Sequence, residues 1–197
     1  MRLAQPEGAL ERLTEFLASA SPVPVGDALS NDALAGVVDV AAADPGVVAL
    51  IEQLQESPTS FCVYDFELYP RMFLRGKGDG LTVVGDDEIC LGRNGGGDIY
   101  LWSAKTGRVR FLIHDQGWRV GHEAEGVDAF VERVMYDIVE MADADQIEEA
   151  DDDYLMRFAF ALELAAESVF EDEVLDDDVA EALRGRGLGL PAIFDED

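Results

Sequence analysis

Apolar residues recur at helical spacing from the start of the chain. Leu10, Leu13, Phe16 and Leu17 share one face of a predicted helix that ends near Ala20, before Pro22 and Pro24 interrupt it. Asp27 or Ser30 opens a second segment carrying Leu34, Val37, Val38 and Ala41. Asp44-Pro45 then supplies a cap and a first-turn proline for a third helix bearing Val47, Val48, Leu50, Ile51 and Leu54, closed by Ser57-Pro58.

The period changes after Thr59. Ser60 to Phe66, Tyr69 to Leu74, Leu81 to Val84, Glu88 to Gly92, Asp98 to Ser103 and Arg108 to His114 are short runs rich in Val, Ile, Phe and Tyr, separated by glycine-bearing turns. Connections this short cannot carry crossover helices, so the strands are expected to be mostly antiparallel and a dinucleotide-binding parallel sheet is disfavoured. Val109, Phe111 and Ile113 alternate with Arg108, Arg110 and Leu112, and Ile99 and Leu101 oppose Tyr100 and Trp102, which leaves one face free to pack on helices.

From Val127 the positions Val127, Phe130, Val131, Val134, Met135, Ile138 and Ala142 follow an amphipathic helix almost without error. A second C-terminal run, Tyr154 to Phe170, is apolar on nearly every side, with only Arg157, Glu163 and Glu167 as a polar stripe. Leaving Phe158, Phe160, Leu162 and Leu164 in water would forfeit about 1.5–3 kcal/mol for each, so the helix is either sandwiched within the fold or covered by a second copy in a homodimer. A last helix spans about Asp178 to Arg184 and stops at Gly185 and Gly187, followed by a tail that docks by Leu190 and Phe194. The fold class that follows is α+β: a mostly antiparallel meandering sheet flanked by N-terminal and C-terminal helices.

Composition narrows what such a fold does. With 197 residues, 48% of them apolar, the chain holds one sizeable core, so a single domain is expected. It comprises an N-terminal helical segment (residues 1–58), a sheet-and-helix core (residues 59–142) and an acidic helical extension (residues 143–197). Forty-two acids against fourteen bases give a net charge of −28, which repels nucleic acid and anionic membrane and favours a basic protein partner. No run approaches the ~20 apolar residues of a membrane helix, and Arg2 to Glu7 start no apolar stretch of signal-peptide length, so a cytoplasmic location is expected. Cys62 and Cys90 lie in strand-like runs without a CxxC pair and read as buried reduced thiols.

The charge is uneven. Residues 121–197 hold 25 acids and 4 arginines, whereas residues 71–119 hold 8 Lys/Arg and 6 acids. The triplets Asp151 to Asp153 and Asp176 to Asp178 each precede a helical pattern, where carboxylates cap amides and oppose the helix dipole, and neither has the ligand spacing of a calcium loop. Gly92 to Gly97 lacks the Lys-Ser/Thr pair of a phosphate loop, and its Asn94-Gly95 predicts a two-residue hairpin turn with positive φ. His114-Asp115 and His122-Glu123 are the only histidine sites, eight residues apart across an apparent loop, which is too thin for a helical zinc motif. No catalytic residue, cofactor or metal site is assigned; an enzyme built on His114, Asp115 and His122 is the last-ranked reading.

The stretch from Ile89 to Trp102 (Ile-Cys-Leu-Gly-Arg-Asn-Gly-Gly-Gly-Asp-Ile-Tyr-Leu-Trp), then Thr106-Gly107-Arg108-Val109, then a loop and Val127 to Val134, resembles the SUKH superfamily over about residues 60–140. In that family a strand ends in a Gly-Gly-rich turn, an aromatic strand follows, a third begins after Gly-x-Val, and a helix closes the unit. The resemblance implies an α+β domain that in many bacterial members is an immunity protein, binding a toxin and blocking it without chemistry of its own. The expectation is therefore an immunity-type protein that neutralises a basic toxin domain by stoichiometric occlusion. Its alternative is a non-enzymatic adaptor of the same fold with an endogenous partner. Glu148, Glu149, Asp151, Asp152 and Asp153 are the first candidates for partner contact, with Trp102 and Trp118 as aromatic anchors.

Overall fold

The computed structural model describes residues 8–19, 31–56, 61–63, 66–68, 83–167 and 175–191. Its elements are helices α1 (Ala9–Ser19), α2 (Asn31–Ala41) and α3 (Pro45–Glu56), and strands β1 (Phe61–Val63), β2 (Phe66–Leu68), β3 (Glu88–Asn94), β4 (Ile99–Ser103), β5 (Val109–Ile113) and β6 (Arg119–Ala124). Helices α4 (Val127–Glu140), α5 (Ala144–Glu149), α6 (Asp152–Glu167) and α7 (Asp177–Gly185) follow. The fold is α+β, and the strands lie in chain order across the sheet. The chain clusters into two compact units, Met1–Phe61 with Glu67–Val131 and Cys62–Phe66 with Glu132–Asp197. None of the described helices is long and apolar enough to cross a membrane.

In the first unit the N-terminal helices start where capping chemistry directs. Asp44 Oδ1 accepts from the amides of Gly46 (3.0 Å) and Val47 (3.3 Å), and Pro45 occupies the first helical position, where no N–H is needed. The start of α1 is held from a distance instead: the Leu10 amide donates to Asp128 Oδ1 at 3.0 Å. Helices α1 and α3 approach closely; a Cβ on Gly46 would sit 2.8 Å from Leu10 Cδ2. Leu10, Leu13 and Leu17 of α1 and Val47, Leu50 and Ile51 of α3 are buried.

The meander β3–β6 is antiparallel throughout. Ile99 pairs with Leu112, Tyr100 with Phe111 and Leu101 with Arg110, so the two faces separate as the alternation requires. On one face Cys90, Ile99, Leu101 and Leu112 form a buried cluster, on which Val83, Val84 and Trp118 pack. On the other, the Tyr100 ring lies 4.8 Å from Phe111 and 5.0 Å from Phe130 at the start of α4. The first face turns polar toward one end: Arg110 pairs with Glu88, the Ser103 hydroxyl meets Asp87 Oδ2 at 3.2 Å, and Arg108 bridges Glu123 (3.3 Å) and Glu125 (2.8 Å).

Several expectations are corrected in detail. The β3–β4 hairpin closes not on a two-residue Asn94-Gly95 turn but on a longer loop, with the Gly97 amide donating to Asn94 O and the Asn94 amide to Asp98 O, both at 3.0 Å. The positive φ falls on Gly97 (+94°), where a residue with a Cβ is strained. Residues 119–124, read as loop because of Gly117 and Gly121, form β6, with a register shift that accommodates Gly121 opposite the Phe111/Leu112 step. Val83 and Val84 form a turn instead of ending a strand. The predicted strand Tyr69 to Leu74 and the docking residue Phe194 lie outside the described residues.

In the second unit, α6 buries Leu155, Phe158, Phe160, Ala161, Leu162, Leu164 and Ala165. Phe158 is 0% and Phe160 9% exposed, so the single chain already covers these side chains. Helix α5, which the sequence pattern did not announce, is a six-residue piece capped by Asp143, whose side chain accepts from Asp145 N. Asp151 caps α6 through Tyr154 N (2.7 Å), and Asp176 caps α7 through Asp178 N (2.9 Å), as the acid triplets led one to expect.

Replacing Asp44 with Ala should lower stability by about 1 kcal/mol, while Asp44→Ser, which keeps a capping oxygen, should retain most of it. Urea midpoints of the two variants against the parent chain check this.

Candidate functional site

Helices α5, α6 and α7 carry the acidic surface. Glu148 and Glu149 are exposed in the last turn of α5, Asp152 is exposed and Asp153 half-buried in the first turn of α6, and Asp151 is the cap between them. The five candidates thus differ physically. Asp151, Asp152 and Asp153 sit at a helix N-terminus, where negative charge opposes the dipole favourably. Glu148 and Glu149 sit at a C-terminus, where it does not, so helix electrostatics give no account of their presence.

Glu148 faces a groove of about 630 Å³ between α5 and α7, lined also by Ala144, Asp178, Glu181, Ala182, Gly185 and Arg186. Asp178 and Glu181 are three apart on α7 and lie on one side of it. Among the described residues no ion pair engages Glu148, Asp178 or Glu181.

None of the four arginines of this region forms an ion pair with Glu148, Asp178 or Glu181. Arg133 pairs with Asp137 along α4 (2.7 Å) and lies over the Tyr136 ring at 5.2 Å. Arg157 on α6 has its Nε buried without a hydrogen-bond partner. Arg184 is in the last turn of α7. Arg186, on the groove wall itself, spends its guanidinium on main-chain carbonyls of Ile147, Glu148 and Ala150. What the groove can do chemically is receive a cation: an ammonium or guanidinium set among three carboxylates on a floor of Ala144, Ala182 and Gly185.

The two aromatic candidates separate. Trp102 is 1% exposed on the central strand β4 and belongs to the interior, so it is not a surface anchor. Trp118 is half-buried on the Cys90, Ile99, Leu101 and Leu112 cluster, and its φ of +64° is a backbone conformation that bulky residues seldom adopt.

The histidines separate as well. His114 turns to Asp98, not to Asp115: Asp98 Oδ1 accepts from the His114 amide (2.8 Å) and meets ring Nδ1 at 2.9 Å. Asn94 Nδ2 donates to Asp98 Oδ2 at 3.1 Å, and Asn94 Oδ1 accepts from the Asp98 amide at 2.8 Å. His122 is on β6 with its ring stacked on Phe111 at 4.9 Å. No group of three or more His, Cys, Asp or Glu able to hold a metal ion forms among the described residues. The Asp98 network ties the β3–β4 hairpin to the corner after β5.

Asp178, Glu181, Arg186 and Asp98 were not singled out from the sequence as site residues. The Asp178/Glu181 spacing was visible, but acids three apart are common in this chain, and only the packing of α7 on α5 sets them beside Glu148. No family model, no curated protein and no solved structure matches the chain.

Burial pushes the Asp98 carboxyl up, but hydrogen bonds from the His114 amide and ring and from Asn94 outweigh it and hold the group below its ordinary value. Its contribution to stability is therefore complete above the unfolded value of about 3.9 and is lost as pH falls through the lower folded value. Asp98→Asn should flatten that acid limb of the melting-temperature profile, measured between about pH 2 and 6.

Proposed function

We propose that this chain is an immunity-type protein of the cytoplasm, one that binds a basic toxin domain stoichiometrically and neutralises it by occlusion, without chemistry of its own. The observation that carries the reading is the acid surface of α5 and α7, where Glu148, Asp178 and Glu181 line a groove and none of the three is held in an ion pair among the described residues. A toxin that acts on nucleic acid presents a cationic site to bind phosphates, and a protein of net charge −28 is its electrostatic complement. Such complementarity acts first on the rate of encounter and on the choice of partner, and gives binding a steep salt dependence.

The α+β meander with its Gly95-Gly96-Gly97 hairpin, the aromatic strand β4 and the helix starting at Val127 accords with the SUKH resemblance, which supplies the toxin-neutralising class. Within that reading the acids at 148–153 divide by role. Glu148 and Glu149 meet the partner, while Asp151 serves α6 as its cap. The aromatic anchor, if one is used, is Trp118, since Trp102 is enclosed.

The test is capture of the partner by tagged protein from its native cells at low and then high salt, with the partner identified by mass. A basic toxin domain, released at high salt, is the expected catch. The variant E148Q/E149Q/D178N/E181Q, which leaves every helix cap in place, should weaken that capture about tenfold or more at low salt and flatten its salt dependence. Unchanged affinity and salt dependence would overturn the electrostatic reading, and capture of only an endogenous housekeeping protein would put the adaptor in its place.

A further inference from the structure

We infer that Arg186 is the latch of a strap formed by α5. Its guanidinium donates to three main-chain carbonyls at the C-terminal end of that helix: Nη1 to Ile147 O (3.0 Å) and Glu148 O (2.7 Å), and Nη2 to Ala150 O (2.8 Å). These carbonyls have no partner within α5, because the last turn of any helix leaves its acceptors unmet. One planar fork satisfies all three and places a positive charge at the negative end of the helix dipole.

Helix α5 depends on that contact more than its neighbours do. It has six residues, well below the ~12–15 at which an isolated helix begins to hold its shape in water. Ile147 is its only buried residue, and the chain leaves it through Ala150 in an extended conformation (ψ 145°). Helix α6 has seven buried residues and α7 four. Segments with few buried apolar groups open at lower free energy than the elements around them, so α5 is expected to open before α6 and α7. The latch has a firm base: the Arg186 amide itself bonds to Ala182 O (3.0 Å) and Leu183 O (3.1 Å) at the end of α7.

Arginine is required because a lysine ammonium is a single point and cannot span three carbonyl oxygens with fixed geometry. A lysine at 186 could also turn to the Glu148 carboxylate, with which Arg186 forms no ion pair. Resting on the function proposed above, the strap is also a control on recognition. Closed, it presents Glu148 across the groove from Asp178 and Glu181; open, it withdraws that carboxylate. A cation bridging the two walls adds to the latch, and by reciprocity a tighter latch raises affinity for the cation.

Hydrogen–deuterium exchange on the full chain tests the latch directly. In Arg186→Gln, peptides covering 144–150 should exchange about tenfold or more faster while those covering 155–165 keep their rates, with Arg186→Lys in between. Unchanged exchange at 144–150, or an equal rise across 132–191, overturns the latch. Adding a hexa-arginine peptide to the parent chain should slow exchange at 144–150. If it does not, while Arg186→Gln still loosens the strap, the latch stands and the cation-binding role of the groove falls.

Discussion

Strand β4 is buried along its whole length, from Ile99 through Ser103, and the sheet is organised around that fact. Enclosed on both faces, the strand meets its main-chain groups in the ladders to β3 and β5, with one register shift at Cys90/Gly92, while the indole Nε1 of Trp102 is buried without a hydrogen-bond partner. The Cys90, Ile99, Leu101 and Leu112 cluster answers on one face and the Tyr100, Phe111 and Phe130 rings on the other. Where apolar residues give out, at Glu88 and Arg110, charges appear only as pairs. The Asp98 network then fixes the hairpin end of the same strand to the corner after β5.

The acid excess is managed by assigning a share of it to helix ends. Asp44, Asp143, Asp151 and Asp176 each accept from an amide in the first turn of a helix, and Asp128 does so for a helix distant in sequence. Those carboxylates stabilise the fold and say nothing about a partner. Asp178, in the first turn of α7, still opposes that helix's dipole, but Glu148 and Glu181 have no such duty, and Glu148 occupies a helix end where its charge is unfavourable. It is this residue of unexplained negative charge, not the total of −28, that points to a surface meant for a cation.

Most helices were legible because their apolar spacing and caps agree. The period from Val127 to Ile138 leaves no other reading, and Asp44-Pro45 marks the start of α3 by chemistry alone. Strand β6 was not legible, because Gly117 and Gly121 look like loop residues until pairing with β5 absorbs Gly121 in a register shift. Helix α5 was hidden for a related reason. With one buried residue it shows no period, and its C-terminal end is completed by an arginine 36 to 39 positions away. The candidate site was half visible: Glu148 and Glu149 were named, but their separation from the capping aspartates, and the company of Asp178 and Glu181, required knowing where each helix begins and which helices meet.

The amino-acid sequence by itself determined the class of the fold, the antiparallel sense of the sheet, the capped starts of α3, α6 and α7 and the polarity of charge along the chain. These follow from periodicity, short connections and local capping, all of which act over a few residues. Tertiary structure alone decided that Trp102 is enclosed while Trp118 stays half-open, that His114 answers to Asp98, and that Arg186 bonds to carbonyls and not to the three carboxylates beside it. Each of those outcomes depends on which groups compete for one partner in space, and such competition is settled only once distant segments have packed.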